Sequence, residues 1–149
     1  MRHGIVPHPT PMGPETLHEL EGLDFVFLCM EGKGKEPIVE KLEAHGIAFI
    51  DVGMGVTVSG TSLRGQIRTT TSTQSMRAHV RDKKRIPFAT VDEVNEYDKN
   101  IQVVELNALN AALAVIKWKK LLGFYADDGN EHFSVFVISG SETINEDTE

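Results

Sequence analysis

Two strongly apolar segments of strand length, separated by a short helix-forming stretch, constrain the fold more than any other feature of the sequence. Residues 23–30 (LDFVFLCM) and 47–52 (IAFIDV) are nearly continuous apolar runs, which is typical of strands buried on both faces in a parallel sheet. Between them, Pro37 fits the first turn of a helix over residues 37–45, and Gly46 fits its C-terminal cap. The pattern predicts a right-handed βαβ unit with two parallel strands.

The pattern then changes to one typical of an antiparallel extension. Residues 56–60 (VTVSG) and 63–71 (LRGQIRTTT) alternate like antiparallel or edge strands, and residues 132–138 (HFSVFVI) predict a final strand. Residues 101–124 have high helix propensity and are apolar almost all round. A helix of this kind is buried in a large core or in a dimer interface. We therefore expect an α/β fold with a mixed sheet, a βαβ unit, an antiparallel extension and one long buried helix.

The domain organisation predicted from the sequence is a single main unit with two flanking segments. A proline-rich, extended leader contains one helical turn, and the chain ends in an acidic, frayed tail. Within the main unit, a Ser/Thr-rich and then basic segment predicts an exposed loop, followed by a short capped helix. The predicted boundaries are 1–22 for the leader, 16–22 for its helical turn, 23–140 for the main unit, 69–86 for the exposed basic loop, 87–99 for the short helix and 141–149 for the tail.

Charge and composition exclude several classes of protein. The net charge of the 149 residues is −7, although seven of the 15 Lys and Arg residues lie between Arg64 and Arg85. This field disfavours nonspecific nucleic-acid binding, and the basic stretch lacks the interleaved aromatic residues of a nucleic-acid site. It could instead dock an acidic protein partner. No apolar run reaches the roughly 18 residues of a membrane span, and no signal-peptide core is present. We therefore expect a cytoplasmic protein that binds neither membrane nor nucleic acid.

Candidate chemical groups lie where the two predicted strands end. Glu31 directly follows the first strand, where ligands gather in open α/β sheets; it could hold Mg²⁺ or a ribose hydroxyl, or be a solvated loop acid. Residues 32–35 (GKGK) resemble part of a phosphate-binding turn, without Walker spacing. Asp51 ends the second strand, and residues 53–55 (GMG) predict a tight turn. Cys29 is expected to be a buried structural thiol. The six histidines have no metal-ligand spacing, and we expect them to be scattered on the surface.

The order of these pieces resembles the second half of the ThiF/MoeB/HesA family, the ubiquitin-activating-enzyme-like adenylating proteins. The resemblance extends over about residues 20–140. It ends in a Lys-x-Leu-Leu-Gly pattern formed by Lys119 or Lys120 with residues 121–123. The segments that carry it are LDFVFLCME (23–31), IAFIDVGMGV (47–56), SLRGQIR (62–68) and ELNALNAALAVIKWKKLLGFY (105–125).

The resemblance implies a partial Rossmann-like fold and a reaction. Members of this family use Mg·ATP to adenylate the C-terminal glycine of a ubiquitin-like or sulfur-carrier protein. By this resemblance Glu31 would be the catalytic, metal-binding carboxylate that holds Mg²⁺. Met30, Gly32 and Lys35 would bind ATP together with it. Residues 53–68 would flank the tail of the carrier protein.

Departures from the family pattern limit what this chain would do alone. The G-x-G-G-x-G turn is not in the sequence, Glu31 replaces an Asp, and Glu36 stands where the family often has Arg. Adenylation needs phosphate clamping and in-line positioning, so we expect this chain alone to be inactive and to require a separate N-terminal half. Two alternatives remain. One is a non-enzymatic, homo-oligomeric scaffold with helix 101–124 as its interface and residues 64–85 as its docking site. The other is an α/β domain that binds a small ligand without ATP.

Overall fold

A five-stranded mixed sheet forms the centre of the protein in a computed structural model, which describes residues 4–30, 34–88 and 103–148. The strands lie in the sheet in chain order; β1 and β2 are parallel, and every other neighbouring pair is antiparallel. The predicted α/β class is confirmed. The elements are β1 (Phe25–Leu28), α1 (Lys35–Ala44), β2 (Ala48–Ser59), β3 (Ser62–Ser72), α2 (Ala78–Asp82), α3 (Val104–Leu121), β4 (Glu131–Val137) and β5 (Glu142–Thr148).

The predicted βαβ unit is confirmed, with α1 packed on one face of the parallel pair. Ile38 and Leu42 of α1 lie in one apolar cluster with Leu28 of β1 and Phe49 of β2. Helix α1 begins two residues before the predicted start at Pro37. Its end is set by Gly46, whose φ of +68° is a conformation that glycine adopts at little cost.

Strand β1 is shorter and less covered than predicted. Its Phe27 side chain is 38% exposed, so the expectation of a strand buried on both faces is wrong. The reason is that β1 is the edge strand of the described sheet. Trp118 of α3 covers β1 only in part, with its ring 6.2 Å from that of Phe25 and 6.0 Å from that of Phe27.

Strands β2 and β3 form one long hairpin, and the tight turn predicted at residues 53–55 is wrong. Gly53 pairs with Arg68 inside the continuous ladder. A Cβ atom at Gly53 would lie 2.6 Å from Nη2 of Arg68. The glycine is therefore needed because the arginine side chain crosses the strand at that position, and not because the chain turns there.

The prediction of an exposed loop over residues 69–86 is wrong, because most of the apolar and threonine side chains in this segment are buried. Strand β3 continues to Ser72, and Thr69 to Ser72 are buried. Val80 of α2 and Ile86 belong to the α1-side cluster. The β-branched threonines suit a pleated strand, so the segment extends the sheet. The helix predicted over residues 87–99 falls mainly on residues 89–102, which lie outside the described residues.

The predicted long helix is confirmed as α3, which lies on the other face of the sheet. Four residues spaced by four, four and three positions face the sheet and are buried: Leu106, Asn110, Ala114 and Lys117. The opposite face carries Val104, Ala108, Ala111 and Val115, which are all exposed. Within this single chain α3 therefore buries one face only. No helix in the described part of the chain is long and apolar enough to span a membrane.

Both flanking segments carry structure. The predicted turn in the leader is a 3-10 helix over Leu17–Leu20, with Leu20 buried in the α1-side cluster. The acidic tail predicted to be frayed instead forms β5, which pairs antiparallel with β4 along Glu142–Thr148. The prediction failed because main-chain pairing and ion pairs, rather than apolar side chains, hold this strand in place.

Candidate functional site

The carboxyl end of β1 lies beside the first part of β2, which continues from Asp51 to Ser59, so the prediction that Asp51 ends the second strand is wrong. Leu28 at the end of β1 pairs with Asp51 of β2. Met30 follows β1 and packs, half-buried, against the α1-side cluster. Glu31 and Gly32 lie outside the described residues, so the predicted metal-binding carboxylate is placed only by its position in the chain, directly after Met30.

A buried charge cluster connects α1 to both strands of the hairpin. Asp51 is fully buried. Its Oδ1 lies 2.6 Å from Nζ of Lys35, and its Oδ2 lies 2.6 Å from Nη2 of Arg68. A buried carboxylate without a counter-charge would cost several kcal/mol. The two cations therefore hold Asp51 as an ion, and Lys35 lies in the protein interior at the first turn of α1.

Arg68 extends this cluster across the sheet to the segment that follows α2. Its Nη1 donates a short hydrogen bond to the main-chain oxygen of Arg85, and Thr70 Oγ1 donates to the same oxygen at 3.3 Å. Burial raises the pKa of Asp51, while the charges of Arg68 and Lys35 oppose that shift. The cluster thus fixes the segment around Arg85 relative to α1.

A basic groove lies on this face of the sheet, above the glycines of β2. Its volume is about 310 Å³. Lys84 is exposed and has no ion pair among the described residues, whereas the other three cations of the groove are paired with acids. The residues that define the basic groove are Gly53, Met54, Gly55, Gln66, Arg68, Lys83, Lys84, Arg85, Pro87 and Phe133.

Cys29 is more exposed than predicted, but its thiol is unreactive, as expected for a structural cysteine. The residue is exposed, so the expected buried thiol is wrong; the cause is again the open edge beside β1. Partial desolvation and the negative charge of Asp51 raise the pKa of the Cys29 thiol. At neutral pH the thiol is therefore mostly protonated and is a poor nucleophile.

Two histidines depart from the expected scatter over the surface. His79 of α2 and His132 of β4 are both buried, with ring centroids 6.1 Å apart. Burial lowers the pKa of His79, so its neutral form is favoured. Nevertheless, no group of three or more His, Cys, Asp or Glu side chains that could hold a metal ion occurs in residues 4–30, 34–88 and 103–148.

A second ionic cluster fastens the C-terminal end of α3 to the start of β4. Lys117 Nζ lies 2.7 Å from Oδ2 of Asp127, and Lys120 Nζ lies 3.1 Å from Oδ1 of Asp127 and 3.0 Å from Oε1 of Glu131. Partial burial would raise the pKa of Asp127. The hydrogen bonds from Lys117 and Lys120 outweigh that effect and lower it to about 2. This cluster is structural, because its charges compensate one another.

Sequence reasoning found the end of β1 and the basic stretch that contains Arg68 and Arg85, but it mistook Asp51 for the end of the second strand and did not predict the ion pairs of the two arginines. One signal was present: Asp51 stands in an otherwise apolar run, and a buried carboxylate needs a cation. The alternation of residues 63–68 (LRGQIR) puts Arg68 on one face of the next strand, which makes it a candidate for that cation. Neither protein-family models nor curated protein sequences match this chain. The resemblance to the adenylating enzymes therefore stays a prediction.

Proposed function

We propose that this chain supplies the carboxylate-bearing half of a ThiF-like adenylation site. The complete site would adenylate the C-terminal glycine of a ubiquitin-like or sulfur-carrier protein with Mg·ATP. One observation carries the proposal: a parallel β1–α1–β2 unit is followed by an antiparallel hairpin and then by a long helix on the opposite face of the sheet. This is the order of elements that the resemblance implies.

Residues at the strand ends have separate roles in this proposal. Glu31 would hold Mg²⁺, and Met30 and Gly32 would line the nucleotide. A single carboxylate suits this ion, because Mg²⁺ is usually held by one or two carboxylates together with substrate phosphates and water. The ion would neutralise charge on the reacting phosphate. Lys35 is already ion-paired with Asp51, so we assign it to positioning α1 and would expect it to reach a phosphate only by leaving that pair.

The basic groove is suited to the tail of a carrier protein. It is lined by Gly55 of β2, which is exposed and leaves the main chain accessible, and by the exposed Lys84. An extended tail that ends in glycine carries a terminal carboxylate and little side-chain bulk. Positive charge beside open main chain therefore complements such a tail in charge and shape.

The edge of β1 is where we propose that a separate N-terminal half adds its strands. Leu23 and Phe27 are exposed there, and β1 has a neighbour on one side only within the described sheet. An exposed edge with apolar residues is a template for further strand pairing. A complete adenylating protein of this kind would act in the cytoplasm.

Calorimetric titration with Mg·ATP tests the proposal directly. We expect weak, saturable binding at millimolar ATP by the full chain and no adenylate formation without the other half. Glu31→Gln should abolish the binding. Glu40→Gln should leave it unchanged, because Glu40 is an exposed acid of α1 without an ion pair in the described structure. No saturable heat with the unsubstituted chain, or equal binding by Glu31→Gln, would contradict the nucleotide role.

A second candidate function, a non-enzymatic dimeric scaffold, is favoured by the outward face of α3. Val104 is 80% exposed and Val115 is 43% exposed, and the two alanines between them add to one apolar stripe. Exposed stripes of this kind on a helix are typical of association surfaces. We propose that a second copy of this chain would cover the stripe.

The oligomeric mass of the protein separates this scaffold from the first candidate. Light scattering should give a dimer for the unsubstituted chain and a monomer for Val115→Glu, because a carboxylate on the stripe would be buried in the dimer without a partner. Val58→Glu is the matched control, since Val58 is also an exposed valine, at 66%, but lies on the β2–β3 hairpin. A monomeric unsubstituted chain, or a dimer that Val115→Glu leaves intact, would exclude α3 as the interface.

A further inference from the structure

Strand β5 contacts the basic groove through two consecutive acidic residues. Asp147 accepts hydrogen bonds from Nε of Arg85 at 2.8 Å and from Nη2 at 3.0 Å, and it forms a short ion pair with Lys83. Glu146 forms a short ion pair with the same guanidinium group. That group also lies over the Phe133 ring of β4, 3.9 Å from its centroid. Arg85 is therefore held between an aromatic ring and two carboxylates.

This contact requires an unusual main-chain conformation in β5. Consecutive side chains of a strand ordinarily point to opposite faces, yet Glu146 and Asp147 reach the same guanidinium group. Asp147 has a φ of +57°, in the left-handed region. The β4–β5 register pairs the residues on either side of it but does not pair Asp147 with His132, the residue opposite it. The ladder is thus interrupted at the position where two adjacent carboxylates turn toward one cation.

Apart from these acids, little holds β5 in place. Its sequence is ETINEDT, and its only aliphatic hydrophobic side chain, Ile144, is 42% exposed. Burial of apolar area therefore contributes little to its attachment. What remains is main-chain pairing with β4, the hydrogen bond that Ser134 Oγ donates to Oδ1 of Asn145, and the ion pairs to Lys83 and Arg85. Salt weakens this attachment mainly through Glu146 and Lys83, whose side chains are about half exposed, because the pair of Asp147 with Arg85 is largely buried.

We propose that the edge of β4, together with Lys83 and Arg85, is a strand-addition site for an acidic, extended peptide, and that β5 is its internal occupant. Main-chain pairing would give affinity for an extended segment. Two adjacent carboxylates, the second on a residue in the left-handed conformation, would give specificity. The partner is therefore a protein segment with a Glu-Asp or similar acidic pair, and it must displace β5. This inference does not depend on adenylation.

The covalent link of β5 to β4 gives it an advantage over any free peptide. Only the short connection over Ile138–Ser141 separates the two strands. A segment tethered this closely acts at an effective concentration on the order of millimolar. A free peptide of the same sequence should therefore bind the unsubstituted chain poorly, and it should bind well once the internal strand loses its charges.

Fluorescence anisotropy with a labelled peptide of sequence SETINEDTE, which is residues 141–149, tests the proposal on the full chain. The double variant Glu146→Gln/Asp147→Asn should bind the peptide at least tenfold more tightly than the unsubstituted chain. Glu142→Gln, on the same strand but without an ion pair in the described residues, should bind like the unsubstituted chain. Adding Arg85→Gln to the double variant should remove the gain, as should about 1 M salt.

Amide hydrogen exchange, measured on the same variants, shows separately whether β5 has detached and whether β3 is still folded. In the double variant we expect faster exchange in residues 142–148 and unchanged protection in β3. Failure of the peptide to bind while β5 exchanges freely and β3 stays protected would overturn the proposal. Unchanged protection of β5 in the double variant would also overturn it, because the acids would not then hold the strand. Formation of a strand-exchanged dimer by the double variant would support it, since β5 of a second copy would occupy the site.

Discussion

At the scale of single residues, the charge on Asp51 decides whether α1 and the hairpin stay connected. Asparagine at this position would keep the shape but leave Lys35 and Arg68 buried without a counter-charge. Removing one member of a buried ionic cluster costs about 3–5 kcal/mol. We expect Asp51→Asn to lower the free energy of unfolding by about that amount in urea denaturation. Asp24→Asn, at an exposed acid just before β1, should change it by less than about 0.5 kcal/mol. A loss below about 1 kcal/mol in Asp51→Asn would mean that the cluster does not hold these elements together.

Asp51 also shows which part of the candidate site could be predicted from the sequence. The position of Asp51 near the end of an apolar run, residues 47–52, follows from local pattern, because such a run is recognisable without its neighbours in the fold. Its partnership with Arg68 depends on the register of the hairpin, which pairs Asp51 with Thr70 and Gly53 with Arg68. Register is set by pairing along the whole ladder. The candidate site was therefore predictable in location but not in its charge partners, and Glu31 stays a prediction.

At the scale of elements, the β2–β3 hairpin depends on an arginine lying across a glycine. Alanine at Gly53 would place its Cβ 2.6 Å from Nη2 of Arg68, which already donates to Asp51, while Nη1 of the same guanidinium group donates to the main-chain oxygen of Arg85. We expect Gly53→Ala to cost about 1–3 kcal/mol in urea denaturation, the usual range for overpacking. Gly55→Ala is the matched control: no atom lies within 4 Å of its Cβ position, so the substitution should be neutral or slightly stabilising. If Gly53→Ala and Gly55→Ala changed the free energy of unfolding equally, the Arg68 side chain would not lie across Gly53.

Elements with a strong local pattern were predictable, and those held by distant partners were not. Local apolar patterns and nearby turn residues predict β1, α1, α3 and β4, and the apolar pattern also predicts the first part of β2. The end of β2 was not predictable in this way, because residues 53–55 look like a turn but pair inside the ladder. Strand β5 has neither feature. It is held by main-chain pairing with the edge of β4 and by ion pairs with Arg85. The end of β3 was mistaken for a loop because its threonines are polar, although they suit a strand when their hydroxyl groups find partners, as that of Thr70 does.

At the scale of the whole molecule, the two faces of the sheet are stabilised differently. On the α1 face an apolar cluster surrounds the helix, and the buried charge cluster lies beside it. On the α3 face the apolar cluster contains three buried residues in the described part of the chain, Val56, Ile67 and Leu106. The ionic cluster at the C-terminal end of α3 therefore carries a larger share of the attachment on that face. Because its acid Asp127 has a pKa lowered to about 2, the attachment of α3 should depend on pH.

The sign of that dependence follows from proton linkage. Asp127 titrates near 3.8 when unfolded and near 2 when folded, so the unfolded chain binds more protons between these values and acid favours unfolding. Its contribution, about 1–2 kcal/mol after allowance for solvent screening, is fully present above about pH 4 and lost toward about pH 2. Asp127→Asn should lower the free energy of unfolding by that amount at pH 7, and the difference should shrink as the pH falls to 2. Asp128→Asn, at the adjacent exposed acid without an ion pair among the described residues, should show no such difference. A constant difference between Asp127→Asn and the unsubstituted chain from pH 7 to 2 would mean that the contacts of Asp127 do not depend on its charge.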